Sequence, residues 1–488
     1  MRTVTIPSSM AALLVIGCLA FSVPAVGQVD TAWVRRYNGP ANGEDKAVAI
    51  AVDHSGNVYV TGESFGSGTS CDFATIKYLS TGDEAWVRRY NGTANGEDKA
   101  RAIALDGSGN VYVAGSSWGG NTDLDYLIIG YDPDGIQLWA KRYDGPAGGE
   151  DIAYALAVDD YGNVYVTGAS SGNGTSHDYA TIKYYPSGDT AWVRRYNGPV
   201  NGSDQACAVC VDDSENVYVT GFSWGGLVNL DYATVKYDPG GNQLCSRRYN
   251  GASNGEDRAT ALAVDDWGNV YVTGYSSSPG TLRDYATIRY LPDGDTAWTA
   301  RYDGPANDRD EAHAIAVDRW GGVCVTGFSW DNGTNLDYAT LKYLPNGDTA
   351  WVRKYNGPDN EGDCAEAIAV DAWGNFYVTG ASSGGTSQDY ATIKYLPHGG
   401  TAWVKRYDGG ANGYDQASAI ATDLSGNVYV TGCSWGIGTS ADYATIKYVP
   451  SPQVPTSRCL GQLILVALLM ATALWRLQRK RAAMHSHK

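Results

Sequence analysis

Charge is scarce in this chain of 488 residues, and it is unbalanced. Asp, Glu, Lys and Arg make up 18% of it, with 36 Lys plus Arg against 53 Asp plus Glu. With 43% hydrophobic residues, the low charge excludes a disordered polyelectrolyte. The acidic balance excludes a nucleic-acid groove, because phosphates are held by clustered Lys and Arg. Gly and Pro number 61 and 17, below the ~25–30% share of low-complexity chains.

Chemistry-bearing patterns are also missing. Histidine occurs six times. His54, His177, His313 and His398 form no ligand pair, and no nucleophile motif accompanies them, so each reads as ordinary surface or loop. Nine cysteines share no common place in the repeat described below. Cys207 and Cys210 lie three apart in one strand, where they point to opposite faces, which disfavours a chelate or a disulfide. They read as core filler, as do Cys245 and Cys324. Export permits disulfides, but the spacing indicates no pairing. No segment has EF-hand spacing, and no unit carries a distinctive acid pair. Outside the two ends there is no 3.6-residue apolar period, so almost no helix is expected. The sequence predicts a non-enzymatic protein without a cofactor.

The two ends differ from the body. Arg2, the apolar run Met10 to Phe21, Pro24 and the small residues Ala25-Val26-Gly27 have the layout of an export signal over 1–27. A lipobox reading, Val15-Ile16-Gly17-Cys18, is the alternative. At the other end a linker, 450–458, leads to seventeen uncharged residues, Cys459 to Trp475, the lower limit of what spans a bilayer. A basic tail, 476–488, follows, with Arg476, Arg479, Lys480 and Arg481. By the positive-inside rule the tail is cytoplasmic and the rest is outside. The expectation is an exported protein at the cell surface with a single-pass C-terminal anchor. Polar linker, short apolar helix and Arg cluster also resemble the C-terminal sorting signals of bacterial surface proteins, which a membrane transpeptidase cuts. That family's Pro-Glu-Pro element is absent; Pro450-Ser451-Pro452 stands near its place. Without these ends the body keeps 29 Lys plus Arg against 53 Asp plus Glu, a formal charge of −24.

The body, 28–449, is one unit repeated eight times. Trp33, Trp86, Trp139, Trp192, Cys245, Trp298, Trp351 and Trp403 open equivalent segments, in steps of 53 residues with one of 52. Each unit has four short β-branched or aromatic segments bounded by turn residues. In the first unit they begin at Ala32-Trp33-Val34, Ala47-Val48-Ala49, Asn57-Val58-Tyr59 and Asp72-Phe73-Ala74. Four antiparallel strands per unit, eight times over, predict an all-β, eight-bladed β-propeller. The alanine-rich second segment suits the crowded inner strand, and the Trp segment the outer one. The chain starts with an outer segment and ends with a fourth one. The N-terminal strand is therefore expected to complete the last blade and close a monomeric ring.

These elements resemble the bacterial SBBP-type β-propeller repeat, over about 30–449. They are Ala-Ile-Ala-Val-Asp, Gly-Asn-Val-Tyr-Val-Thr-Gly, Asp-Tyr-Ala-Thr-Ile-Lys-Tyr and Gly-x-x-x-Trp. The resemblance implies a surface or secreted protein of undefined role. Gly82-x-x-x-Trp86 is also similar to the tryptophan-docking repeat of quinoprotein dehydrogenases, but the adjacent Cys-Cys pair of their alcohol dehydrogenases is absent.

A residue present in every unit builds the blade, so a site should lie where units differ. Trp118, Trp224, Trp330 and Trp435 occur in alternate units only, in loops rich in Ser, Gly and Asn. They are the candidate ligand-binding residues, suited to sugar rings or to protein contacts. Asp45, Asp98, Asp151, Asp204, Asp257, Asp310, Asp363 and Asp415 precede every inner strand. They read first as loop caps; the alternative is an acidic ring holding Ca2+. Asp72, Asp125, Asp178, Asp231, Asp284, Asp337, Asp389 and Asp442, at the start of the fourth segment, read as structural. The expected role is a surface binding or adhesion scaffold for a glycan or another surface protein. A glycan-cleaving or quinoprotein-like enzyme and a passive envelope or biofilm protein are the alternatives.

Overall fold

Alternating, turn-bounded segments can satisfy their backbone only by pairing, and here all but the first pair with a neighbour in sequence. The computed structural model describes residues 29–451 except 121, 122, 227, 228, 334, 386 and 412. The expected signal 1–27, the helix 459–475 and the basic tail lie outside the described residues, as does nearly all of the linker. Every regular element described is a strand, 32 in all. Among the described residues no helix is long and apolar enough to cross a membrane.

The strands form eight four-stranded antiparallel sheets. Blade 1 contains β2 (Asp45–Val52), β3 (Val58–Phe65), β4 (Cys71–Tyr78) and β5 (Glu84–Tyr90), in that order from the axis outward. Blades 2 to 7 repeat this order. In blade 8, β1 (Val29–Tyr37) pairs beside β32 (Ala441–Pro450) as the outermost strand. The expected closure is therefore present, and it leaves no blade short of a strand. The propeller, Asp30–Val449, is one compact unit.

The meander fixes two faces. Turns such as 53–57, between inner and second strands, open on one face, together with turns such as 79–83. Loops such as 66–70 and the crossovers to the next blade, such as 38–44, open on the other. We call these the turn face and the loop face.

The core lies in the seams between blades. One cluster joins Tyr59, Phe73 and Trp86 of blade 1 to Ala100, Val111, Val113, Leu127, Ile129 and Tyr131 of blade 2. Small residues on the inner strand let adjacent blades approach: Ala47 is fully buried, as are its equivalents Ala153 and Ala206. Each inner strand is bulged after this alanine, for example between Ala47 and Ala49. A bulge adds one residue to one strand of a pair. Ile50 and Val52 beyond it then pack on the seam cluster.

The outer tryptophan locks the next blade. Trp33 Nε1 donates to the Ser80 carbonyl at 3.3 Å, and Arg35 Nε to the Gly82 carbonyl at 2.5 Å. Gly82 has φ of +91°, and a Cβ there would lie 2.8 Å from the Trp33 ring. This position needs glycine for its backbone and for close approach. The seven cysteines of the described residues are free thiols. Of those read as core filler, Cys324 is buried, while Cys207, Cys210 and Cys245 are half-buried.

Candidate functional site

The repeated carboxylates are committed to the frame. Each aspartate at the head of an inner strand, from Asp45 to Asp415, accepts a backbone N–H from a crossover glycine at 2.5–2.8 Å. Asp45, Asp151, Asp204, Asp363 and Asp415 also accept the N–H at the end of the second strand. All eight are buried to 1% exposure or less. Burial pushes their carboxyls above the usual range, opposed by these bonds, and pushes Asp310 up to about 6. The cap expected from sequence is thus what each loop contains. Three of the eight, Asp151, Asp310 and Asp415, also stand within acidic triads with Asp144, Asp303 and Asp408.

The fourth-segment aspartates hold a second repeated device. Arg36, Arg89, Arg142, Arg195, Arg248, Arg301 and Arg406 each reach one of them at 2.6–3.0 Å. The same guanidinium of Arg89 donates to the Ser64 carbonyl and hydroxyl and to the Tyr37 hydroxyl, tying three strands together. Only blade 6 departs: Lys354 stands in the arginine's place and pairs with Asp331 at 3.0 Å.

The alternating tryptophans, expected within the loops, are instead the last residues of the second strands, where these open onto the loop face. Trp118 and Trp435 are exposed, at 37% and 44%, while Trp224 and Trp330 are half-buried. A crossover glycine underlies three of them. A Cβ at Gly96, Gly202 or Gly413 would come within 2.5 Å of Trp118, Trp224 or Trp435. One side of each of these indoles is therefore occupied by its own blade.

More exposed aromatics stand on the turn face. Trp267, Trp320 and Trp373 occupy the same turn position in blades 5, 6 and 7, and they are 59%, 52% and 55% exposed. Each leans over the next blade: Cβ atoms at Gly321, Gly374 and Gly426 would lie 3.5, 2.6 and 3.2 Å from these rings. The three indoles thus form a continuous arc from blade to blade. Arg319 sits 4.4 Å over the Trp320 ring. Tyr161 of blade 3 holds the same turn position and is 72% exposed. A polar cavity of about 540 Å³ opens on this face between blades 1 and 3, lined by residues that include His54, Asp106, Asp160 and Lys77. Sequence reasoning overlooked the arc, although its signal was present: a three-unit run of Trp where other units have Ser or Tyr.

A third variable region is the axis. The second and fourth residues of all eight inner strands are half-buried and flank a buried third residue. They differ from blade to blade, from Lys46 and Val48 to Cys364 and Glu366. His313 belongs to this set. It is not the ordinary surface or loop residue expected, because an inner strand turns it into contact with the next blade, its Nδ1 3.1 Å from the Ala365 carbonyl.

Fold and frame together define an eight-bladed β-propeller with a repeated scaffold and variable faces. The SBBP β-propeller repeat model matches residues 85–121, 142–174, 247–280 and 403–438, so four segments of the chain carry SBBP repeats. No curated protein matches the chain. Among solved structures it is similar to Chaetomium thermophilum Sqt1 bound to the N-terminus of ribosomal protein L10. The identity is 10% and the TM-score 0.54, over 86% of this chain and 100% of that one. Polysaccharide lyase Uly1 aligns at 12% identity and TM-score 0.45, over 84% and 90% of the two chains. Drosophila Plexin A in complex with Semaphorin 1b aligns at 10% and 0.42, over 87% and 88%. At such identity the likeness to Sqt1 is one of fold.

Proposed function

We propose that the protein is an exported, membrane-anchored binding scaffold, a monomeric and non-enzymatic disc that holds a glycan chain on its turn face. The observation that carries this reading is the arc of Trp267, Trp320 and Trp373, each more than half exposed on a rigid frame. Indole faces stack on the C–H faces of sugar rings, and neighbouring Asp side chains accept their hydroxyls. An arc spanning three blades suits a polymer better than a single ring. The commitment of the repeated aspartates to backbone caps and arginine pairs favours binding over hydrolysis. Export and anchoring rest on the sequence of 1–27 and 459–475.

The loop-face set keeps a claim as the second reading, because Trp118 and Trp435 are also exposed. A glycan array probed with the full-length protein, with and without Ca2+, separates the two. Selective binding lost in a W267A/W320A/W373A variant and kept in a W118A/W435A variant is the expected result. The reverse pattern moves the site to the loop face. Absence of glycan binding by the native chain overturns the glycan reading and directs the search to a protein partner.

A further inference from the structure

Three donor groups of different chemistry meet near the axis. His313 lies on β22 (Asp310–Val317) and Cys364 and Glu366 lie on β26 (Asp363–Val370), the inner strands of blades 6 and 7. His313 and Glu366 are one repeat apart, so they occupy the same register position in adjacent blades and face each other across the seam. Cys364 is two residues before Glu366, which lies at the bulge between Ala365 and Ala367, and the two side chains meet there. His313 Nδ1 is 3.2 Å from Glu366 Oε2 and 3.8 Å from Cys364 Sγ. Cys364 Sγ is 3.4 Å from Glu366 Oε1. A tetrahedral centre with bonds of about 2.0 Å to N or O and 2.3 Å to S has donor–donor edges of about 3.3–3.6 Å. The Nδ1–Oε2 separation matches such an edge, and one ligand atom from each of the three residues lies within 4.8 Å of the others.

The arrangement does not fit a nucleophile relay. There the imidazole stands between nucleophile and carboxylate and uses opposite ring nitrogens. Here thiol and carboxylate both approach Nδ1, as does the Ala365 carbonyl at 3.1 Å, so a cation bound there would replace the Nδ1 proton. Convergence of three donors on one point is what a cation requires. The surroundings orient the donors: Gln416 Nε2 donates to Glu366 Oε1 at 3.3 Å, and the Phe328 ring meets the imidazole edge-on at 5.3 Å between centroids. Such outer contacts fix ligand orientation at metal sites. A mixed N, S and O set favours a borderline ion of the zinc class over Ca2+, which takes six to eight oxygens.

We propose that His313, Cys364 and Glu366 bind a zinc-class divalent cation near the propeller axis, with three protein ligands and water in the fourth position. The site is independent of the glycan-binding face. Co2+ titration of the metal-free, full-length protein tests it. One equivalent is expected to give a near-ultraviolet thiolate-to-cobalt charge-transfer band with the visible bands of a tetrahedral ion, and Zn2+ should bleach both. C364S should abolish the near-ultraviolet band. H313Q and E366Q should weaken Zn2+ binding by calorimetry at least ~10-fold, with unchanged circular dichroism. No cobalt spectrum from the native protein overturns the proposal. So does a charge-transfer band that survives in C364S, because the thiolate would then be another cysteine. Unchanged Zn2+ affinity in folded H313Q or E366Q overturns it as well.

Discussion

The Tyr443 hydroxyl donates to the Ala74 carbonyl at 3.2 Å, joining the last blade to the first across 369 residues of sequence. The same bond recurs at six other seams, from Tyr126 to Ala180 through Tyr390 to Ala444. At the seam between blades 1 and 2 the position is Phe73. Each of these tyrosines is fully buried, and burial pushes the Tyr443 phenol well above its usual range, so it stays neutral and donates. Tyr443→Phe should lower unfolding free energy by about 1 kcal/mol. Phe73→Tyr, whose hydroxyl would reach the Leu127 carbonyl one repeat on, should gain a similar amount. Chemical denaturation of both variants measures the pair. A neutral Y443F would show that the seams are held by apolar contact alone.

Gly82 tests the lock between blades. Alanine there meets both a backbone at φ +91° and the Trp33 ring 2.8 Å from its Cβ. The expected cost is about 2–4 kcal/mol, the sum of backbone strain and overpacking. Trp33→Phe, which relieves the ring contact, should recover part of that loss in the double variant. The coupling is read from a double-mutant cycle. Additive losses would mean that the ring and the turn do not press on each other.

Blade 6 is the one blade whose stability should depend strongly on mild acid. Burial raises the Asp310 carboxyl to about 6 in the folded protein, against about 3.9 for an unperturbed aspartate. A raised carboxyl binds its proton more tightly when folded. Its contribution is therefore fully present below pH ~3.9 and lost as pH rises through about 6. Asp310→Asn should thus stabilise the protein at pH 7, by at most about 3 kcal/mol, and flatten stability between pH 4 and 7 on the order of that amount. Lys354→Arg should restore the clamp of the other seven blades and add about 1 kcal/mol. Thermal melts across pH for both variants check this. A D310N protein less stable than the native one at pH 7 would show that the ionised cap is worth more than its burial costs.

The blade could be read from sequence because its determinants are local and repeated. Alanine spacing located the inner strand, the Trp33 series located the outer one, and a leading outer segment foretold that β1 would close the ring. The sites were harder to read because their partners lie one repeat apart. His313 looked isolated when the sequence was searched for short-range ligand pairs; aligned by repeat, it stands beside Glu366. Trp267, Trp320 and Trp373 sit in a turn, where hydrophobic patterning gives no signal, and their exposure depends on how each ring leans over the next blade. The alternating Trp118 series stood out from the period, but nothing local told an open indole from one half covered by its crossover.

Stability should divide the tryptophans by role. Trp86 is 7% exposed and packs between Tyr59 and Tyr131 at 6.1 Å from each ring. Trp86→Ala should cost about 3–5 kcal/mol. Trp373→Ala removes a ring that is 55% exposed and rests mainly on the Gly426 turn, so it should cost below about 1 kcal/mol. Such small losses across the three-blade run from Trp267 to Trp373 are what the proposed binding role of the arc requires. Denaturation curves of W86A, W267A, W320A and W373A make the comparison. If the three turn-face variants lost as much stability as W86A, the arc would belong to the frame, and its assignment as a binding surface would fail without any ligand having been tried.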